Sequence, residues 1–392
     1  MSKFNKSFKL SSFYETSNLK NDSLAVVFLT YIISMTSLPF LSLRVVFYTA
    51  CLMILIYTAV FSNKTLRVDW FITFLIYMLV LSSLMALFDN ARFLEQSVNI
   101  GSSLILVALT SIFGVNRRSV IIASCLIIVI FLVKDPSIIL NLQKIRFYGG
   151  DDILFVKTSH TLCFMGLLIA LYFMLLGKVK YSILFFILCL PFMSRSGLLA
   201  FSTVSILFYL RNYIPQSFIK IIPPLAIFAI LCVIFAIGIF YGHNDSIIII
   251  TKARSIFYEI IVNDILSRGL DILIPKYAGY STEILSKQLP YNIDIDTPFY
   301  AQLFSTTRQC THSLFLELLS DYGAILFAFM LFFFYKMTNR TNLYFVLFYV
   351  IFISFQCEAF NPNFIFPFYI FYYLSTRLNY HNSSLKGMGN NQ

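Results

Sequence analysis

Long apolar runs follow one another along this 392-residue chain, and nearly all of its charge lies in the breaks between them and in the two tails. About 20 apolar residues at 1.5 Å rise each cross a hydrocarbon core of about 30 Å. Runs of this kind lie near residues 24–43, 45–62, 69–88, 97–115, 119–133, 158–177, 181–193, 197–210, 221–241, 313–335, 341–357 and 363–376. Charged residues make up 12% of the chain and hydrophobic residues 59%, whereas a soluble domain carries about 25% charged residues. These proportions exclude a soluble globular enzyme, a disordered chain and a secreted disulfide scaffold. The expectation is an all-α, polytopic membrane protein of about 12 spans.

The breaks predict an orientation. With the N-terminus inside, Lys64 and Arg67, Arg117 and Arg118, Lys178 and Lys180, Arg211 and Lys220, and Lys336 and Arg340 share one side with both tails. That side collects sixteen basic and three acidic residues, so it holds the whole net charge of +11 and more. This is the positive-inside pattern. A nucleic-acid surface would need the same charges gathered in one patch, and here they are spread over separate short segments. No small-residue cleavage site follows the first run, so 24–43 reads as a retained helix. The predicted organisation is a bundle of about nine spans over 1–241, an outer loop over 242–311, about three further spans over 312–378 and a cytoplasmic tail over 379–392, frayed from Tyr380.

The seven cysteines do not form a disulfide framework. Cys51, Cys125, Cys163, Cys189 and Cys232 lie in apolar runs, where a thiol behaves as a small hydrophobe. Cys310 and Cys357 fall near predicted outer loops, where a pairing is conceivable.

Two places interrupt the regular pattern. The runs 181–193 and 197–210 are short, and thirteen residues of helix reach only about 20 Å. The turn Ser194–Arg195–Ser196 between them is therefore expected below the outer surface, where an arginine is costly unless it meets a partner or a wet cavity. The second interruption is the outer loop. Its segment 251–269 places Ile256, Ile260, Ile261 and Ile265 at helical spacing, which reads as an amphipathic helix at the membrane interface. Arg254 starts that helix and Arg268–Gly269 end it. A guanidinium at such a boundary can hold two oxygens of a lipid-linked phosphate, or it can simply snorkel to headgroups. The loop closes with Arg308, Cys310, Thr311 and His312. Glu317 and Asp321 then enter an apolar run, and titratable groups so placed are expected to be buried, paired or functional.

Other chemistries find little support in the residues. The four histidines are dispersed, and no HExxH or paired CxxC spacing occurs. Asp135, Asp151 and Asp152 make only a weak cation site. No Walker A loop, GxGxxG fingerprint or GxSxG elbow is present. The expectation is no metal and no cofactor, with the energy for any reaction carried by an activated, lipid-borne substrate.

Three segments taken together resemble the O-antigen polymerase (Wzy) and O-antigen ligase superfamily of bacterial inner-membrane glycosyltransferases. They are SRSGLLAF from Ser194, ARSIFYEIIVNDILSRG around Arg254, and THSLFLELLSDYG, in which His312, Ser313 and Gly323 fit the family's spacing. Their order agrees with the family, as does the large loop between the last two. Leu326 stands where the ligase type has a second glycine, and the turn glycine follows Ser196 rather than Arg195.

The resemblance implies a GT-C-like fold and metal-independent, inverting transfer of a glycan from undecaprenyl diphosphate at the periplasmic face. It implies Arg254, His312 and Arg195 as catalytic residues. Arg308, Glu317, Ser194 and Ser313 would bind substrate. The lipid bilayer and the undecaprenyl-linked oligosaccharide would be its partners, with a chain-length regulator and a flippase of the same pathway. The nearly balanced charge of the loop favours a polymerase over a ligase, whose acceptor is a phosphorylated lipid A core. A lipid-linked oligosaccharide flippase is the remaining alternative, although the two halves of the chain differ and most loop mass lies on one side.

Overall fold

A computed structural model describes residues 48–57, 68–86, 91–115, 118–123, 125–126, 153–190, 194–242, 254–276, 280–292, 313–355 and 362–387. Among them every regular element is helical. In chain order these are α1 (Tyr48–Tyr57), α2 (Trp70–Ala86), α3 (Ala91–Phe113), α4 (Ile153–Leu175), α5 (Val179–Cys189) and α6 (Arg195–Tyr209). They continue as α7 (Ile222–Tyr241), α8 (Arg254–Ser267), α9 (Tyr280–Asn292), α10 (Leu314–Met337), α11 (Leu343–Ile353) and α12 (Pro362–Gly387). A short helical stretch also covers 118–123.

α1 to α7 and α10 to α12 fall on apolar runs, α8 and α9 lie within 242–311, the run 119–133 is described only in part, and the run 24–43 lies outside the described residues. α12 is a correction at its end. It continues through the polar residues after Tyr380 as far as Gly387.

The core is aromatic and lies where α11 meets α4, α6, α7 and α12. All eleven residues of α11 are buried. Tyr349 stacks on Phe368 of α12 at 4.2 Å, and Phe164 of α4 meets Phe352 at 4.7 Å. Each well-oriented ring pair contributes about 0.5–1.5 kcal/mol beyond the area it buries.

The outside of the bundle is apolar as well. Met53, Val80, Ile187, Phe228, Val233 and Phe329 all stand exposed, an apolar surface of the kind that marks an interaction with an apolar partner or a membrane. By length and composition two helices, Ile222–Tyr241 and Leu314–Met337, suffice to cross a membrane.

Cations from several of the sequence breaks gather at one end of the bundle. Lys336 lies over Trp70, Lys220 over Tyr335 and Arg211 over Phe208. Arg211 and Arg340 both act on the Tyr344 phenol. From this basic end α7 rises about 30 Å over its twenty residues. Its far end meets α8.

Two expectations change at that far end. The run 313–335 is not one uninterrupted helix, because Gly323 takes φ +77° and ψ 168° inside α10. Leu314–Tyr322 is thus a short head, and the uninterrupted part from Ala324 to Met337 is roughly 21 Å long. The second change concerns α8. Ile256, Ile260, Ile261 and Ile265 are buried as the stripe predicts, but so are Phe257, Tyr258 and Val262. A helix covered on that many sides is a packed element, and its isoleucines do not lie on lipid.

Candidate functional site

The candidate site is the unit formed by α8, α9 and the head of α10. α8 crosses the end of α7 very closely. A Cβ added to Gly238 would stand 3.0 Å from the Tyr258 carbonyl oxygen and 3.2 Å from the Glu259 nitrogen. Glycine is what permits this crossing, and it brings the first turns of α8 against α7.

Arg254 is the first residue of α8 and is half-buried, followed by the fully buried Ser255. One turn on, burial pushes the Tyr258 phenol above its ordinary pKa, and the positive charge of Arg254 opposes that shift. A cation at a helix N-terminus faces the positive end of the macrodipole, an arrangement costing about 0.3–1 kcal/mol. An anion bound there is attracted by both the guanidinium and the helix N-terminus.

The unit is closed by Arg268. Its Nε donates to Asp264 Oδ2 at 2.9 Å, and its Nη2 also bonds that oxygen. Nη1 donates to the Ser320 carbonyl at 2.7 Å, and Nη2 to Ser320 Oγ at 3.0 Å. The guanidinium lies 4.3 Å from the centre of the Tyr280 ring, whose hydroxyl donates to Asp264 Oδ1 at 2.9 Å. Burial and the adjoining Asp264 carboxylate raise the Tyr280 phenol above its ordinary pKa. One guanidinium therefore joins α8, α9 and the head of α10.

Asp321 closes the same unit from the other side. It is buried, its Oδ1 accepts the Ser281 N–H at 2.8 Å, and its carbonyl accepts the Lys276 N–H at 2.9 Å. The chain from Ile272 to Lys276 consequently runs across the break in α10. A Cβ on Gly323 would stand 2.9 Å from the Ile272 carbonyl oxygen and 3.0 Å from that of Ile274. Positive φ and lack of room together require glycine here.

The residues expected from sequence distribute unevenly. Arg254 opens α8, whereas Ser313 and Glu317 stand at the start of α10. Ser313 is buried as the N-cap of α10, where its hydroxyl accepts the Leu316 N–H at 3.4 Å, and Glu317, one turn on, is half-buried. Ser194 stands on the bundle instead. It caps α6 by accepting the Gly197 N–H at 3.0 Å and approaches Cys163 of α4. Both serines thus have capping roles that the sequence reading did not assign.

Arg195 opens α6, an eleven-residue α5 precedes it, and the short pair of helices is as expected. The Arg195 side chain, Arg308, His312, Cys310, Cys357, Asp135, Asp151 and Asp152 lie outside the described residues. Among the described residues no three His, Cys, Asp or Glu side chains gather closely enough to hold a metal ion.

Arg268 was legible only as a helix end, and Asp264, Tyr280 and Ser320 were not singled out. Asp264 and Arg268 are i and i+4 on one helix, a spacing that puts them side by side, and that was the available signal. Comparison of the chain with family models, curated proteins and solved structures finds no match.

Proposed function

We propose that this chain is an O-antigen polymerase, joining undecaprenyl-diphosphate-linked repeat units at the periplasmic face of a bacterial inner membrane, with both termini cytoplasmic. The observation carrying this reading is the place of Arg254. It opens a buried helix far from the basic end, where its charge and the helix dipole together favour an anion. The apolar exterior suits a substrate delivered within the membrane. The order of the Ser194, Arg254 and His312 segments points to the same class of reaction.

In the proposed reaction an acceptor hydroxyl oxygen attacks the anomeric carbon of the donor sugar. The bond from that carbon to the diphosphate oxygen breaks, the diphosphate leaves with the electron pair, and the hydroxyl proton passes to a base, for which His312 and Glu317 are the candidates. Arg254 neutralises the charge that develops there, with Arg195 and Arg308 supplying further positive charge. His312 contacts the acceptor or the diphosphate, and Glu317 supplies a carboxylate on the head of α10. Removing one such electrostatic contact typically raises a barrier by about 2.7–4 kcal/mol, a loss on the order of 10²–10³ in rate.

The test is Arg254→Ala, expressed at normal membrane levels. The O-antigen ladder is expected to collapse to core carrying one repeat unit. An unchanged ladder overturns the role of Arg254, and core without any repeat indicates a ligase.

A further inference from the structure

Three helices give the height of the outer unit above the basic end independently. Ser82 lies twelve residues above Trp70 on α2, or about 18 Å, and its hydroxyl meets Tyr322 at 3.3 Å. Gly323 lies thirteen residues above Lys336 on α10, or about 20 Å. Gly238, against the α8 backbone, lies sixteen residues above Ile222 on α7, or about 24 Å. Tilt shortens such heights and never lengthens them. Lysine and tryptophan at the basic end mark one boundary of the hydrocarbon. Across a core of about 30 Å, the chain over Gly323 then lies inside the outer leaflet.

The exposed residues of that chain are of two kinds. Leu266 lies at the end of α8, and Leu270, Leu273 and Ile274 lie on the turn that follows Gly269. Leu270 is 83% exposed and Ile274 62%. Asn263, Ser267 and Asp271, at intervals of four, are exposed as well. The Arg268 side chain, at this depth, is only 5% exposed and is fully engaged with Asp264 and Ser320. Exposed leucine and isoleucine beside exposed polar residues, with the local arginine withdrawn into protein, are the pattern of an element lying in the lipid–water boundary.

We propose that the end of α8 and the turn after it form a membrane-docking surface. Leu266, Leu270, Leu273 and Ile274 rest on acyl chains of the outer leaflet, and Asn263, Ser267 and Asp271 face the headgroups, joined by Lys276. The segment lies within the stretch that hydropathy assigns to the outer loop, yet it contacts lipid. This inference rests on the bundle crossing a membrane and is independent of glycosyl transfer.

The chain has a single tryptophan, so Trp70→Phe gives a silent background. Into it Leu270→Trp, Ile274→Trp and, as a lipid-facing reference on α7, Phe228→Trp are introduced singly. Each protein is reconstituted in phosphatidylcholine–phosphatidylglycerol vesicles with or without acyl-chain bromines, and iodide serves as the aqueous quencher. The Leu270 and Ile274 variants are expected to lose at least twofold in emission to bromines near the headgroup end and to resist iodide. If Phe228→Trp is quenched by bromines while both turn variants follow iodide, the turn lies in water and the proposal is overturned. If neither quencher reaches the turn variants, protein covers the surface, which also overturns it. If Phe228→Trp itself escapes the bromines, the membrane-spanning reading falls and this inference falls with it.

Discussion

The two ends of the bundle use positive charge in opposite ways. At the basic end Lys178, Arg211, Lys220 and Lys336 lie over aromatic rings at the surface. At the other end Arg268 is buried, with hydrogen bonds to Asp264 and Ser320 and a ring beneath it. Surface cations over rings are several and individually weak, about 0.5–1 kcal/mol each, so losing one leaves the others in place. A buried guanidinium is a single fastening. Removing it strands a carboxylate and a carbonyl away from water. The basic end is therefore redundant in its construction, and the outer unit rests on two buried side chains, Arg268 and Asp321.

The largest effect is expected from Arg268→Met. Breaking a buried pair from one side costs about 3–5 kcal/mol. Thermal unfolding in detergent should show the loss, with protease cleavage appearing between α8 and α9 first. Arg268→Lys should recover little of it, because an ammonium cannot reproduce the fork that reaches Asp264 and Ser320 together. Full recovery by lysine would erase the contrast between the two ends.

Gly323→Ala comes next. Positive φ costs a non-glycine residue about 1–3 kcal/mol, and the added methyl meets the Ile272 and Ile274 carbonyls. The same assay should place this variant between wild type and Arg268→Met. A wild-type melting point would mean that the chain crossing α10 yields easily.

The smallest effect is expected from Lys336→Ala at the basic end. Its contacts with Trp70 and Phe332 are worth about 0.5–1 kcal/mol at most. The melting point should hardly move, whereas the emission of Trp70 should shift as the cation above it is lost. A destabilisation rivalling that of Arg268→Met would show that the basic end hangs on one residue.

Much of the bundle was legible because hydropathy is a local sum. Trp70–Ala86, Ile222–Tyr241 and Leu343–Ile353 each follow from their own apolar residues, and Ile222–Tyr241 alone of the three has the length that a bilayer demands. The outer unit was only half legible. Arg254 and the cap at Gly269, which takes φ +53°, were readable from spacing. The buried second face of α8 was not, because Phe257, Tyr258 and Val262 look no different in sequence whether protein or lipid covers them. Ser313 and Ser194 looked like site residues, and their capping bonds became visible only once the helix starts were placed.

The sequence by itself determined that the chain is helical and apolar, how its helices are spaced, and which breaks carry the positive charge. These properties depend on composition within windows of about twenty residues, the length a bilayer demands. Tertiary structure alone decided that an apolar run of 24 residues breaks at Gly323, that Arg268 is a fastening and not merely a helix end, and that Asp321 holds a neighbouring segment. Each of these depends on a chain crossing between residues some forty to fifty positions apart. No local sum of hydropathy or propensity contains that contact.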